Sequence, residues 1–274
     1  MNILKKSIKS IAIGGFDGMH LAHQQLFTKL CKNGAIVVIE TSYANLSPKH
    51  YREQHSSYPI YYYDLDSIKH LSGEMFVNLL IEEFPSLDTI VVGYDFRFGY
   101  KASCSIYELK SLFRGDVVVV DEYKLDGVSI HSRSIREYIS LGEIKKVNKF
   151  LGYNYTIVGK HIKGQGLGSK SFVPTINIYV EQFLIPKDGV YITYTILDDI
   201  SYPSITFIGK RDTTDCNFAI ETHILVDITS CKDHKNISIE FIEYIRENRK
   251  FTSFDALKRE IDKNIEKSKK FFRI

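Results

Sequence analysis

The stretch IAIGGFDGMHLAH, from Ile11 to His23, decides how the first half of this chain folds. Its β-branched beginning, Ser10 to Ile13, predicts a buried strand, and the glycines and Asp17 that follow are typical of a turn. Leu21 and the residues after it predict a helix. A strand, a glycine-rich turn and a helix N-terminus form an anion site, because free backbone N–H groups and the positive end of the helix dipole meet there.

Two histidines lie on the first turn of this predicted helix. His20 and His23 are three residues apart, so both side chains point to one face. Imidazole N–H groups at that place can donate hydrogen bonds to phosphate oxygens, which indicates chemistry on a nucleotide phosphate. Paired helical histidines are often surface decoration or a helix cap, and His-x-x-His is also half of a metal site. No neighbouring cysteine or carboxylate cluster completes a metal site. The strand, the glycines and the helix start therefore favour a phosphate-binding site over a metal site.

Length and composition limit the class of protein. A chain of 274 residues with 44% hydrophobic residues is long and apolar enough for two ordinary domains. The net charge of +3, from 36 basic and 33 acidic side chains, gives no case for nucleic-acid binding. Four scattered cysteines favour reduced thiols in a cytoplasmic enzyme. We expect no signal peptide, transmembrane helix or membrane partner.

The first half alternates strand and helix patterns, which predicts an α/β domain with a parallel sheet. The predicted strands after the first are Ala35–Ile39, Thr89–Val92 and Val117–Val120, and the predicted helices are 22–31, 72–83 and 105–113. Ligands of such sheets bind beyond the carboxyl ends of the strands. Because His20 and Asp95 each follow a strand, we expect them at the same edge of the sheet.

The second half changes its pattern. Residues 132–151 predict two short helices separated by Gly142, and the residues after them predict an antiparallel barrel that ends in a helix. The predicted strands are Tyr155–Val158, Thr175–Val180, Val190–Ile196, Ile205–Ile208, Ile220–Ile228 and Ile237–Ile245. In the final helix, Ser253 is the expected N-cap, and the expected apolar stripe is Phe254, Leu257, Ile261 and Ile265. We place the domain boundary between residues 1–152 and 153–274.

The Ile11–His23 stretch resembles the G-x-F-D-G-x-H-x-G-H pattern of bacterial bifunctional riboflavin kinase/FAD synthetases. The segment VVGYDFRFG, residues 91–99, is similar to the V-G-x-D-F-R-F-G segment of that family. Residues 174–177 (PTIN) resemble the P-T-A-N motif of riboflavin kinases, and residues 221–223 (ETH) resemble their E-T-H segment. The resemblance covers nearly the whole chain, and it implies a Rossmann-like nucleotidyltransferase domain followed by a riboflavin kinase barrel.

The resemblance implies two activities. The chain would phosphorylate riboflavin to FMN with ATP, and it would adenylylate FMN to FAD with release of pyrophosphate. Mg²⁺ is the implied cofactor, and the expected partners are these small molecules; the sequence does not indicate an oligomeric state.

The resemblance also implies which residues act in the first domain. The implied catalytic residues there are His20 and His23. The implied nucleotide- and phosphate-binding residues are Gly14, Gly15, Phe16, Asp17, Gly18, Ser132 and Arg136, and the implied flavin-binding residues are Asp95, Phe96, Arg97 and Phe98. Plain core packing is the alternative role for the two phenylalanines. The chain departs from the family pattern at Ala22, where the family has glycine, and at Gly15, where it usually has asparagine.

In the second domain, the resemblance implies that Thr175 and Asn177 hold magnesium and ATP oxygens, and that Glu221 is the general base. Gly164 and Gly166 belong to an implied phosphate-binding flap. Residues 170–173 lack a glycine of the family pattern, and Asp212 stands where the family usually has proline. Two alternatives therefore stay open: an FMN adenylyltransferase with a degenerate kinase module, and a non-catalytic flavin-binding protein.

Overall fold

The computed structural model describes residues 5–41, 43–162, 173–211, 217–227 and 236–274. The chain divides into two compact units, Met1–Ser132 and Arg133–Ile274. The first unit is an α/β domain and the second contains a closed antiparallel barrel, as the sequence predicts. No helix in the described ranges is long and apolar enough to span a membrane.

Five parallel strands form the sheet of the first unit. They are β1 (Ser10–Gly14), β2 (Gly34–Glu40), β3 (Ile60–Asp64), β4 (Thr89–Gly93) and β5 (Asp116–Val120). Their order across the sheet is β3-β2-β1-β4-β5. The apolar residues of the central strands are buried on both faces, which explains their continuous hydrophobic runs. The chain leaves β1 toward β2 on one side and reaches β4 on the other, so a switch point lies between β1 and β4.

Helices and a short hairpin complete this unit. The helices are α1 (Leu21–Phe27), α2 (Leu65–Ile68), α3 (Gly73–Glu83) and α4 (Ile106–Leu112), and the hairpin strands are β6 (Lys124–Leu125) and β7 (Val128–Ser129). Helix α1 ends four residues before the predicted position, although Leu30 beyond it is still buried. Strand β3 and the hairpin were missed in the sequence.

The second unit begins within α5 (Ser132–Leu141), which α6 (Ile144–Leu151) follows. The barrel strands are β8 (Thr156–Ile162), β9 (Ile176–Tyr179), β10 (Gly189–Leu197), β11 (Ile200–Lys210), β12 (Phe218–Ile224) and β13 (Ile237–Arg246), closed in the order β10-β11-β12-β9-β8-β13. Helix α7 (Phe254–Phe272) starts at Ser253, whose side chain accepts a hydrogen bond from the Ala256 N–H as expected. Phe254 is 57% exposed, so its predicted place in the apolar stripe was wrong.

The barrel interior contains a closed ring of hydroxyl groups. The side chains of Thr193, Ser204, Thr195, Thr222 and Thr206 are joined in that order by hydrogen bonds of 2.7–3.1 Å. All five residues are fully buried. Since each hydroxyl can donate one hydrogen bond and accept others, the ring satisfies these polar groups without water.

Candidate active sites

The loops after β1 and β4 form the candidate site of the first unit. Because β1 and β4 are neighbours in the parallel sheet, their carboxyl ends lie side by side. His20 follows β1 and Asp95 follows β4. The structure therefore brings the histidine turn and the flavin-binding segment predicted from the sequence to one edge, at the switch point where such sheets bind ligands.

The two histidines stack on each other at the start of α1. Their ring centroids are 3.5 Å apart and the planes are inclined by 19°. His20 is the N-cap of α1, and its Nδ1 accepts a 3.4 Å hydrogen bond from the backbone N–H of His23. A neutral His20 that accepts at Nδ1 has its proton on Nε2.

The surroundings of His23 favour a neutral imidazole. Burial, and then the positive charges of His20, Arg52 and His131, hold the pKa of His23 well below its ordinary value. The neutral form therefore predominates at neutral pH, and two rings stacked this closely cannot both be charged without strong repulsion. The Nδ1 atom of His23 is buried and has no hydrogen-bond partner among the described residues. A buried nitrogen of this kind is costly in the free protein and can be satisfied by a ligand.

The turn between β1 and α1 is strained. Phe16 and Met19 have φ angles of 45° and 39°, a region that L side chains rarely adopt, although both side chains are buried in the core. Gly18, with φ of 84°, is suited to the left-handed region. Strained backbone of this type is common at ligand sites and persists only where surrounding contacts hold it.

The positions that depart from the family pattern fit the backbone without distortion. Ala22 lies inside α1, so its methyl group sits on an ordinary helical backbone. A Cβ atom at Gly15 would meet its nearest neighbour, the Ile39 carbonyl oxygen, at 3.9 Å, which is an ordinary contact. In contrast, a Cβ at Gly14 would lie 3.0 Å from the Phe16 ring, so this glycine allows close packing.

Asp17 holds a distant loop against the turn. Its carboxylate accepts hydrogen bonds from the backbone N–H groups of Asn45, Leu46 and Ser47, at 3.0–3.3 Å. In return, the Gly18 N–H donates to the Ser47 Oγ at 2.7 Å. The predicted nucleotide-binding role of Asp17 is therefore accompanied by a structural one, because its carboxylate fixes residues 45–47.

We expect Asp17→Asn to loosen this loop. An asparagine has one acceptor oxygen and no charge, so it cannot satisfy three backbone N–H groups as a carboxylate does, and the loss is about 1–3 kcal/mol of local stability. Amide hydrogen exchange at residues 45–47 should become faster, as measured by mass spectrometry of the full chain. Asp66→Asn is the matched control, since the Asp66 side chain is 80% exposed. Unchanged exchange at residues 45–47 in the Asp17 variant would contradict the role.

The predicted flavin-binding residues divide into two pairs. Asp95 and Arg97 are exposed beyond β4, whereas Phe98 is buried in the core and packs against Phe76 with centroids 5.8 Å apart. Phe96 is half-buried and stacks on Phe98 at 5.7 Å. Core packing thus accounts for Phe98, while Asp95, Arg97 and the outer face of Phe96 are the groups accessible to a ligand.

Ser132 contacts the same turn. Its Oγ donates a 2.7 Å hydrogen bond to the Asp17 carbonyl oxygen, which ties the start of α5 to the turn. Arg136 lies one helical turn further along α5, on the part of the helix that belongs to the second unit. Its predicted role in phosphate binding stays a prediction.

The second unit brings its own predicted site residues together on neighbouring strands. Glu221 on β12 pairs directly with Asn177 on β9. Thr222, next to Glu221, points into the hydroxyl ring, so Glu221 and Asn177 share the outer face of the barrel. The Nδ1 atom of His223 and the Pro174 carbonyl oxygen form a hydrogen bond of 2.7 Å, which links the ETH and PTIN segments.

Arg211 is the charged partner of Glu221. Its Nη1 atom lies 3.0 Å from Glu221 Oε1, and both side chains are about four-fifths buried. Thr175 is exposed immediately before β9, and Asn177 is buried within it. Gly164 and Gly166 of the predicted flap lie outside the described residues, as do Asp212 and residues 170–172.

Comparison with known proteins covers both units. A family model described as riboflavin kinase matches residues 151–272. A bifunctional riboflavin kinase/FMN adenylyltransferase of Buchnera aphidicola (Acyrthosiphon pisum) is 29% identical, over 96% of this chain and 93% of its own length. One from Mycoplasma pneumoniae is 26% identical, over 96% and 97%. The chain is therefore similar, over nearly its whole length, to bifunctional riboflavin kinase/FMN adenylyltransferases.

The fold of this chain is also seen in a solved structure. A Streptococcus pneumoniae chain, entitled a macrolide-efflux protein, superposes with a TM-score of 0.82 at 24% identity, covering 96% of this chain and 94% of that one. This likeness supports the fold alone.

Some residues that position the two sites carry no signal in the sequence. Ser47 and Arg52 support the histidine turn, and Arg211 holds Glu221. Ser47 and Arg52 lie outside the segments that resemble the family motifs, so no motif marked them. Arg211 lies ten residues before Glu221 in the sequence and has no periodic signal either, so only the three-dimensional pairing identifies it.

Proposed function

We propose that this chain converts riboflavin to FMN in its second unit and FMN to FAD in its first. The observation that carries the proposal is that one chain presents both predicted sites: the stacked histidines beside the Asp95 loop, and Glu221 paired with Asn177 on the barrel. Relatives with both activities in their names match nearly the whole chain, which favours this function over an adenylyltransferase alone.

In the proposed adenylyl transfer, a phosphate oxygen of FMN attacks the α-phosphorus of ATP. The bond from that phosphorus to the β-phosphate oxygen breaks, and pyrophosphate leaves. His20 and His23 lie at the positive end of α1, where their N–H groups can stabilise negative charge that builds on the phosphate oxygens. Exposed Arg97 offers a planar guanidinium for the FMN phosphate.

In the proposed kinase reaction, the terminal ribityl hydroxyl of riboflavin attacks the γ-phosphorus of ATP, and ADP leaves. Glu221 accepts the hydroxyl proton as the new bond forms. Arg211, paired with Glu221, orients this carboxylate on the outer face of the barrel.

The residues of the second site fit Mg²⁺. Thr175 and Asn177 supply hydroxyl and amide oxygens, which are hard ligands of the kind that Mg²⁺ prefers. The described residues contain no cluster of three His, Cys, Asp or Glu side chains, which suits an ion held largely by substrate phosphates. When bound, Mg²⁺ would neutralise charge on those phosphates. The cytoplasmic location expected from the cysteines stays a prediction.

Incubation of the purified chain with riboflavin, ATP and Mg²⁺, followed by chromatographic separation of the flavins, tests the proposal. FAD formed from riboflavin supports it. FAD formed only when FMN is supplied would show an adenylyltransferase with an inactive kinase unit, and binding of flavins without turnover would show a non-catalytic flavin-binding protein.

A further inference from the structure

Arg52 is a fully buried charged side chain next to the candidate adenylyl-transfer site. It lies in a 3-10 turn, Lys49–His55, and its exposed fraction is 0%. Arginine is almost never completely buried unless each of its charged groups is paired. A buried guanidinium within the electrostatic reach of His23 therefore needs a structural or functional explanation.

Its contacts join two segments of the first unit. The Nε atom donates to the Phe16 carbonyl oxygen at 3.3 Å, which is the strained residue of the histidine turn. The Nη1 and Nη2 atoms donate to the two carboxylate oxygens of Glu40 at 2.6 and 3.3 Å. The guanidinium thus bridges the histidine turn and the end of β2.

We propose that Arg52 is a positioning residue for adenylyl transfer: it fixes the Phe16–Met19 turn and places a positive charge behind the stacked histidines. This inference rests on the proposed function of the first unit. The hydrogen bond to Phe16 restrains a backbone that would otherwise relax from its positive φ angle. A small displacement of a catalytic group lowers the reaction rate steeply, so both histidines depend on a turn that is held in place.

The charge of Arg52 has a separate effect. Burial and His20 lower the pKa of His23 most, and Arg52 and then His131 lower it further. The charge of Arg52 is neutralised in part by Glu40, and the Asp17 carboxylate is bound to residues 45–47. Removing the positive charge of Arg52 alone should therefore raise the pKa of His23, and removing the negative charge of Glu40 alone should lower it.

These opposite directions distinguish positioning from simple loss of stability. Arg52→Gln and Glu40→Gln each break the same buried ion pair, so both destabilise the first unit. Only an electrostatic role moves the titration of His23 upward in the first variant and downward in the second. Arg52→Lys keeps the charge but not the bidentate hydrogen bonds to Glu40, so the pKa of His23 should stay close to its value in the unchanged protein.

The experiment is an NMR pH titration of the histidine rings in the full chain, with the His23 resonance assigned from its loss in His23→Asn. It is combined with steady-state kinetics of FAD formation from FMN. We expect Arg52→Gln to lower kcat by roughly 10-fold or more with a smaller change in KM, and Arg52→Lys to recover part of that loss. If Arg52→Gln does not fold, the double variant Arg52→Gln/Glu40→Gln removes the charges as a pair, and kcat should remain reduced.

Unchanged His23 titration together with unchanged kcat in the Arg52 variants would overturn the inference. The same shift direction in the Arg52→Gln and Glu40→Gln variants would reduce Arg52 to a structural residue and would also overturn it. The titration needs no substrate. If the unchanged protein forms no FAD, the proposed function fails, whereas the placement of charge behind His23 is still decided by NMR.

Discussion

His23→Ala is expected to lower FAD formation from FMN by about 100- to 1,000-fold and to leave FMN formation from riboflavin unchanged. The histidine lies at the N-terminus of α1 in the first unit, where its buried Nδ1 has no protein partner among the described residues. Its removal takes away a donor or acceptor at the reacting phosphates. The two rates are measured separately, with FMN plus ATP for one reaction and riboflavin plus ATP for the other.

The matched control for this prediction is His70→Ala. His70 is an exposed histidine of the same unit, outside the turn and its supporting loop, and its removal should change neither rate. An equal loss of both activities in His23→Ala would show that the two reactions do not occupy separate sites.

Glu221→Gln is expected to have the reverse effect. FMN formation from riboflavin should fall by about 100- to 10,000-fold, because glutamine cannot accept the proton of the ribityl hydroxyl. Glutamine is nearly the same size as glutamate, and its carbonyl oxygen can still accept a hydrogen bond from Arg211. FAD formation from supplied FMN should stay at its original rate, as chromatography of the flavins would measure.

Glu181→Gln, at an exposed position of the second unit, is the control for Glu221. It removes the same charge without touching β9 or β12. A kinase rate that survives in Glu221→Gln would rule out this carboxylate as the base.

Most of the fold follows from local sequence patterns. The strands β1, β2 and β4 are continuous apolar runs because both faces of the sheet are covered, and the valines of the edge strand β5 form a similar run. Strand β3 was missed because three tyrosines, which are partly exposed, give it neither an aliphatic run nor clear alternation. The hairpin strands β6 and β7 have only two residues each, too few for any periodic pattern.

The candidate sites were partly predictable for the same physical reason. His20, His23 and Asp95 follow strands, so parallel topology alone places them at one edge of the sheet. The contacts of Asp17 with residues 45–47 span nearly 30 positions, and they join a side chain to backbone groups that every residue carries. Such contacts leave no trace in one sequence, and neither does the burial of Arg52.

The hydroxyl ring inside the barrel has a consequence for how this chain can vary. Thr195 and Thr222 each form hydrogen bonds with two other hydroxyl groups of the ring. Replacing either threonine by valine therefore opens the ring, and the two hydroxyl groups next to the replaced residue each lose one hydrogen-bond partner. A second replacement beside the first then costs less than it would alone, because its partner is already gone. We therefore expect the five hydroxyl residues to be replaced by apolar residues together, rather than one at a time, as the sequence varies.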